Sequence, residues 1–184
     1  LQAMKILGGQ FVLGRDIDSA LKRAGRNGTL CSFDMLGEGA RTQKDADRYF
    51  HNYLAAIETV GDTSTASHLF DGHNVSVKLS ALHPRFWESH RETCLPALRE
   101  KVLALAVTAR RSNIGMSLDA EECARLELTM DVFEWLCEQT ELEDWQGLGF
   151  VLQAYQKRAL KVAEWLIALA QSRPAGIMVR LVKG

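Results

Sequence analysis

Five short apolar runs alternate with longer segments of helical periodicity along the chain of 184 residues. The runs occupy residues 30–36, 75–79, 114–120, 148–154 and 177–183. This alternation is typical of βα units, in which buried parallel strands form a sheet and helices cover it. We therefore predict an α/β fold, and the length indicates about one domain over residues 1–184.

The segments between the runs carry apolar residues at every third or fourth position, as on the buried face of an α-helix. Four helices are predicted from these positions, at residues 46–60, 95–109, 128–136 and 160–170. Thr42 and Asp45 have the spacing of a capping box at the start of the first helix. A short leading helix is predicted at residues 15–25, ended by Gly25 and Gly28.

The composition excludes several classes of protein. Hydrophobic residues make up 47% and charged residues 24%, as in a globular chain with a packed core. Lys and Arg number 22 against 23 Asp and Glu, so no excess positive charge is present to bind nucleic acid. The four cysteines form no CxxC pair, which argues against a zinc ribbon or a disulfide scaffold and predicts reduced thiols in the cytoplasm. No apolar run approaches the ~18 residues of a membrane span.

Each of the five predicted strands carries a polar side chain toward its C-terminal half. These residues are Asp34, Lys78, Asp119, Gln153, Arg180 and Lys183. A single charged residue at a strand end commonly caps a loop or joins an ion pair, but recurrence on every strand favours a common site. In parallel βα folds the C-terminal ends of the strands meet at one edge, where ligands bind. Two acids, one amide and up to three cations would suit a small zwitterion or the polar ring of a cofactor.

Three other patterns favour structural roles. Ser80 and His83 could pair as nucleophile and base, but no GxSxG turn surrounds the serine. His68 and His73 lack the spacing of metal ligands, so no metal site is predicted from them. The sequence GEGA at residues 37–40 departs from the GxGxxG fingerprint of a dinucleotide-binding fold.

Six motifs resemble, in order and at matching spacing, those of the proline dehydrogenase family. They are QFVLG at 10–14, SFDMLGE at 32–38, VKLSALHPR at 77–85, LDAEE at 118–122, FVLQAYQKR at 150–158 and VRLVKG at 179–184. The likeness is closest to the domain found in bacterial bifunctional proline utilisation A (PutA) flavoproteins. It extends over nearly the whole chain, so the combination of motifs is highly specific.

The resemblance implies a distorted (βα)8 barrel of the TIM-barrel family, of which residues 1–184 would hold about the first five βα units. The chain begins with Leu1 and stops directly after an apolar run, so we expect it to be a fragment of a longer protein. Members of the family bind FAD noncovalently and oxidise L-proline to Δ1-pyrroline-5-carboxylate. Their electrons pass to a membrane quinone, which leaves peripheral contact with the inner face of the membrane open for a cytoplasmic protein. Oligomer formation also stays open.

The resemblance also implies roles for individual residues. Substrate binding is implied for Lys78, which would pair with the proline carboxylate, and for Asp34 and Glu38. Catalytic roles are implied for Asp119 and Arg180, with Arg180 near the flavin nitrogen that receives the hydride. Contacts with the cofactor are implied for Ala120, Gln153, Arg180, Lys183 and Gly184. No metal is implied.

Two alternatives remain open at this point. A Schiff-base aldolase of the (βα)8 type could use Lys78 or Lys183 to attack a carbonyl group. That activity would explain the lysines but none of the six motifs. The other alternative is an inactive, truncated remnant that keeps part of the fold and binds no cofactor.

Overall fold

The computed structural model describes residues 12–35 and 39–183. Five strands form one parallel sheet in sequential order. They are β1 (Ser32–Asp34), β2 (Asn74–Val77), β3 (Gly115–Leu118), β4 (Leu148–Gln153) and β5 (Met178–Val182). The helices are α1 (Ile17–Asn27), α2 (Gln43–Thr63), α3 (Leu79–Leu82), α4 (Arg91–Arg111), α5 (Leu126–Cys137) and α6 (Ala159–Gln171). The predicted α/β fold with five parallel strands is confirmed.

The sheet is strongly curled. The Arg180 guanidinium on β5 donates a hydrogen bond from Nη1 to Ser32 Oγ on β1 over 2.7 Å. Four strand spacings of ~4.8 Å would place β1 and β5 about 19 Å apart in a flat sheet, beyond the reach of an arginine side chain. The five strands therefore form an arc whose concave face brings β1 and β5 together, as in part of a barrel.

Side chains of the strands alternate between the two faces of this arc. Phe150 on β4 points outward, where its ring lies 5.1 Å from that of Phe133 on α5 and 5.6 Å from that of Trp165 on α6. Other outward residues of the central strands are also buried in the core beneath the helices: Val75, Val77, Met116, Leu118 and Leu152. The concave face carries the alternate residues, which are largely polar. Alternation with a period of two thus separates the core from the site.

The helix boundaries show which local signals were reliable. Thr42 caps α2, and its side chain and that of Asp45 form the predicted capping box. The leading helix ends two residues later than predicted because Gly25 lies within it, with open space where a Cβ would lie. Gly28 is the residue that ends the helix, since it adopts φ 62° in the left-handed region that favours glycine.

The strands are shorter than the apolar runs that predicted them. The run 75–79 was expected to form one strand, but β2 ends at Val77 and Leu79 begins the short helix α3. An apolar run cannot by itself distinguish a buried strand from a buried helical turn. Lys78 consequently lies in the turn after β2, and Asp119 directly follows β3. No helix within the described ranges is both long and apolar enough to cross a membrane.

We expect His73, which directly precedes β2 at the N-terminal end of the sheet, to make the stability of the fold depend on pH. Its Nδ1 accepts a hydrogen bond from the backbone N–H of Cys31 over 3.0 Å, so this nitrogen carries no proton and the imidazole ring is neutral. Partial burial lowers the pKa of His73 below its ordinary value of 6.5. A depressed histidine pKa contributes stability above pH 6.5 that is lost as the pH falls through the folded pKa.

We therefore expect the free energy of unfolding in urea to decrease between pH 7.5 and pH 5.5, and to decrease less in the His73→Gln variant. His83, whose pKa burial also lowers, remains in both proteins and supplies a common background. Equal pH dependence in the wild type and the variant would contradict the role given to His73.

Candidate active site

Four charged side chains form a continuous chain of alternating sign on the concave face. Lys78 Nζ contacts Asp34 Oδ2 and also donates to Asp119 Oδ2 over 2.7 Å. Arg180 Nη2 donates to the other oxygen of Asp119, Oδ1, over 2.8 Å. The order is therefore Asp34, Lys78, Asp119, Arg180. The charges of these two anions and two cations sum to zero, so the four side chains compensate one another's charges. We call this set of four side chains the charged chain.

The register of the sheet explains why residues distant in sequence meet here. Val77 pairs with Leu118, so Lys78 and Asp119 follow side by side at the ends of β2 and β3. Val151 pairs with Arg180, which places Arg180 in the same row on β5. The four charged residues come from β1, from the turn after β2, from the end of β3 and from β5. Parallel pairing alone therefore brings their side chains to one edge.

Arg180 is held by hydroxyl groups as well as by a carboxylate. Its Nη1 donates to Ser32 Oγ, and its Nη2 donates to Ser76 Oγ over 3.0 Å. Ser76 Oγ also accepts a hydrogen bond of 3.4 Å from Ser117 Oγ. These serines were not identified as site residues from the sequence. A signal was present, because each serine lies two residues before an acidic or basic site residue and therefore on the same face of its strand.

Lys78 remains a cation in this environment. Burial by itself lowers the pKa of the ammonium group, but hydrogen bonds and charge from Asp119 and Asp34 outweigh this and raise the pKa above its usual range. An ammonium group has three N–H donors, and the described contacts use two of them. One N–H therefore remains for a ligand with an acceptor group.

The two carboxylates differ in how firmly they are held. Asp119 is 15% exposed and accepts from Lys78, from Arg180 and, over 3.0 Å, from the backbone N–H of Ala120. Asp34 is 39% exposed, and its described side-chain contact is with Lys78 alone. Asp119 is thus the central anchor of the charged chain, whereas Asp34 is the member nearest to solvent.

The remaining predicted site residues lie around the charged chain or outside the described ranges. Gln153 ends β4 two residues beyond Val151, on the same face, and its Oε1 accepts a hydrogen bond of 2.5 Å from Gln156 Nε2. Lys183 directly follows β5 with an exposed side chain, and its carbonyl oxygen accepts from the N–H of Tyr155. Glu38 and Gly184 lie outside the described residues.

The sequence of the chain matches a known protein family. Residues 17–184 match the family model described as proline dehydrogenase. The bifunctional protein PutA of Escherichia coli (strain K12) is 43% identical over 99% of this chain, which corresponds to 14% of that protein. Proline dehydrogenase 1 of Bacillus subtilis (strain 168) is 30% identical over 95% of this chain, or 51% of that protein.

Solved structures agree with the sequence comparison. A mutant of proline utilization A from Bradyrhizobium japonicum is 47% identical and superposes with a TM-score of 0.88 over 100% of this chain and 19% of that one. Proline utilization A from Bdellovibrio bacteriovorus, inactivated by N-propargylglycine, is 26% identical with a TM-score of 0.83 over 94% of this chain and 20% of that one. The curled sheet is therefore an arc of a TIM-barrel-like fold, as predicted.

The chain spans about a seventh of the length of the PutA relatives and about half of the Bacillus relatives. Within that span the family model matches all but the first 16 residues. The chain belongs to the proline dehydrogenase family.

Proposed function

We propose that this chain forms part of the active site of an FAD-dependent dehydrogenase that oxidises L-proline to Δ1-pyrroline-5-carboxylate, the first step of proline catabolism to glutamate. The observation that carries the proposal is the chain of alternating charges from Asp34 to Arg180. The greater length of the family relatives supports a second point, that these residues act within a longer catalytic domain.

The charged chain suits a zwitterionic substrate. The substrate carboxylate can accept a hydrogen bond from the remaining N–H of Lys78, which stays protonated. Asp34, which is more exposed than Asp119, can accept a hydrogen bond from the substrate ammonium group. A small amino acid held at both charged ends has a fixed orientation, and such positioning lowers a reaction barrier without a covalent bond to the protein. Glu38 is proposed to support the same side of the site.

The donor groups beside the charged chain fit a flavin. Arg180 has five N–H donors, and its described hydrogen bonds to Ser32, Ser76 and Asp119 leave others for ring acceptors. Gln153 adds an amide at the same edge. When bound, FAD would accept the hydride, and that chemistry belongs to the cofactor. Arg180 remains protonated and can stabilise negative charge that develops near it. Further contacts are proposed for Ala120, Lys183 and Gly184.

The Schiff-base alternative is disfavoured at Lys78, one of the two lysines considered for it, by the electrostatics of that residue. A lysine that attacks a carbonyl group must be a neutral amine, and enzymes achieve this by lowering its pKa. Contacts with two carboxylates raise the pKa of Lys78 instead. We also propose, on family grounds, that electrons pass to a membrane quinone and that the protein is cytoplasmic with peripheral contact at the inner face of the membrane.

The proposed function is tested by the visible spectrum of the protein that contains this segment, purified with FAD and freed of unbound cofactor. We expect a retained flavin spectrum that bleaches when L-proline is added without oxygen. A colourless protein, as expected of an inactive remnant, or a bound flavin that proline does not reduce would overturn the proposal.

A further inference from the structure

Side chains outside the charged chain form hydrogen bonds with the backbone of the turn that carries Lys78. Lys78 is the N-cap of α3, but its side chain makes no capping hydrogen bond. The first N–H groups of a helix have no partner within the helix and need one elsewhere when buried. Residues Leu79–Leu82 are all buried, so solvent does not supply these partners.

Two side chains from other elements fill this need. The hydroxyl oxygen of Tyr53, on α2, accepts a hydrogen bond of 3.2 Å from the backbone N–H of Lys78. Glu121 Oε1, in the loop after β3, accepts one of 3.0 Å from the backbone N–H of Ser80. The carbonyl oxygen of Ser80 accepts from the N–H of Ala40 in the loop after β1 over 2.8 Å. The loops after β1, β2 and β3 are thus joined at Ser80.

Glu121 is itself fixed in place. Its side chain is only 6% exposed, and its second oxygen, Oε2, accepts a hydrogen bond of 2.8 Å from Arg125 Nη1. The Arg125 guanidinium lies over the Trp87 ring, 4.3 Å from its centroid. A carboxylate this deeply buried is stable only with such a cation beside it, because its desolvation is costly.

The position of Glu121 links this contact to the charged chain. Asp119 and Glu121 are two residues apart in one loop, and each contacts the turn after β2. Asp119 binds the end of the Lys78 side chain, whereas Glu121 binds the backbone two residues farther on. These two attachments come from the same loop, and together they determine where the ammonium group of Lys78 lies.

We propose that Glu121 is a positioning residue that acts through Lys78, with Tyr53 as its counterpart on the other side of the turn. The inference deepens the proposed function and rests on it only for the identity of the ligand that Lys78 binds. It assigns no direct contact between Glu121 and substrate or cofactor. Replacement by glutamine leaves one oxygen acceptor for two donors, the guanidinium of Arg125 and the N–H of Ser80. The charged guanidinium makes the stronger hydrogen bond and takes this oxygen, so the amide NH2 faces the N–H of Ser80.

The experiment compares Glu121→Gln in two backgrounds, the wild type and Lys78→Met, in the FAD-loaded protein that contains this segment. In the wild-type background we expect the KM for L-proline to rise roughly tenfold while kcat changes by less than about twofold, since binding geometry rather than chemistry is altered. In the Lys78→Met background we expect no further rise, because the group through which Glu121 acts is gone. If Glu121→Gln changed the KM for L-proline by the same factor in both backgrounds, the proposal would be overturned.

A readout independent of activity is hydrogen exchange of the amides of residues 78–82. Glu121→Gln is expected to accelerate this exchange roughly tenfold, since the N–H of Ser80 loses a well-placed acceptor. The matched control is Glu122→Gln, because Glu122 also pairs with Arg125 over 3.0 Å but is 64% exposed. Unchanged exchange in Glu121→Gln, or equal acceleration in both variants, would overturn the proposal.

Tyr53→Phe removes the other attachment and serves where Glu121→Gln does not fold. It is expected to accelerate exchange at the N–H of Lys78 and to raise the KM in the wild-type background alone. Altered exchange in a protein that never oxidises proline would support the positioning role and would count against the proposed function, so the two failures are distinguishable.

Discussion

The Lys78→Met variant is expected to need about a hundredfold more L-proline for half-saturation than the wild type. Methionine keeps most of the length of the side chain but removes the N–H that we propose to bind the substrate carboxylate. It also leaves Asp34 and Asp119 facing each other without the cation that joins them. Removal of one partner of a buried, charged hydrogen bond weakens binding by roughly 3 kcal/mol, which corresponds to about two orders of magnitude in affinity. Steady-state kinetics over a wide range of proline concentration measure the effect.

The control for this variant is Lys161→Met. Lys161 also pairs with a carboxylate, that of Glu164, but its side chain is 80% exposed on α6 and lies away from the charged chain. Exposed pairs of this kind contribute ~0.5 kcal/mol or less, so saturation by proline should not change. Unaltered saturation in Lys78→Met would contradict the binding role of Lys78.

The sequence predicted the charged chain better than it predicted what holds that chain in place. Asp34, Lys78, Asp119 and Arg180 were identified because charge within buried strands is costly and therefore conspicuous. The structure brings all four together, while their roles in binding and catalysis stay predictions. Serine is common in many environments, so Ser32 and Ser76 carried no comparable signal, although alternation along each strand placed them on the correct face.

The supporting contacts are nonlocal, which explains why they were missed. Tyr53 lies within the helix predicted at residues 46–60, but its hydroxyl binds the backbone of Lys78, 25 residues away. Glu121 belongs to a recognised motif, yet its partner is the N–H of Ser80, 41 residues away. Both contacts depend on the turn after β2. Because the apolar run concealed that turn, the N–H groups that need partners were not apparent.

The Asp119→Asn variant is expected to lose the most activity, because Asp119 is the only side chain that contacts both cations in the described site. The amide keeps the shape of the carboxylate but removes its charge, so Asp34, which contacts Lys78 and not Arg180 in the described site, is the one acid left for two cations. Their repulsion would displace Arg180, the group proposed to stabilise negative charge near the flavin. Loss of such a preorganised contact lowers a rate by roughly 10²- to 10³-fold.

Flavin reduction by saturating L-proline in a single turnover measures this loss without interference from later electron transfer. Asp131→Asn is the matched control, because Asp131 also pairs with an arginine, Arg91, but on the outer helices. That variant should reduce its flavin at the wild-type rate. Reduction of Asp119→Asn at the wild-type rate would mean that Lys78 and Arg180 keep their positions without the shared carboxylate. The charged chain would then be a consequence of the fold and not a requirement of the reaction.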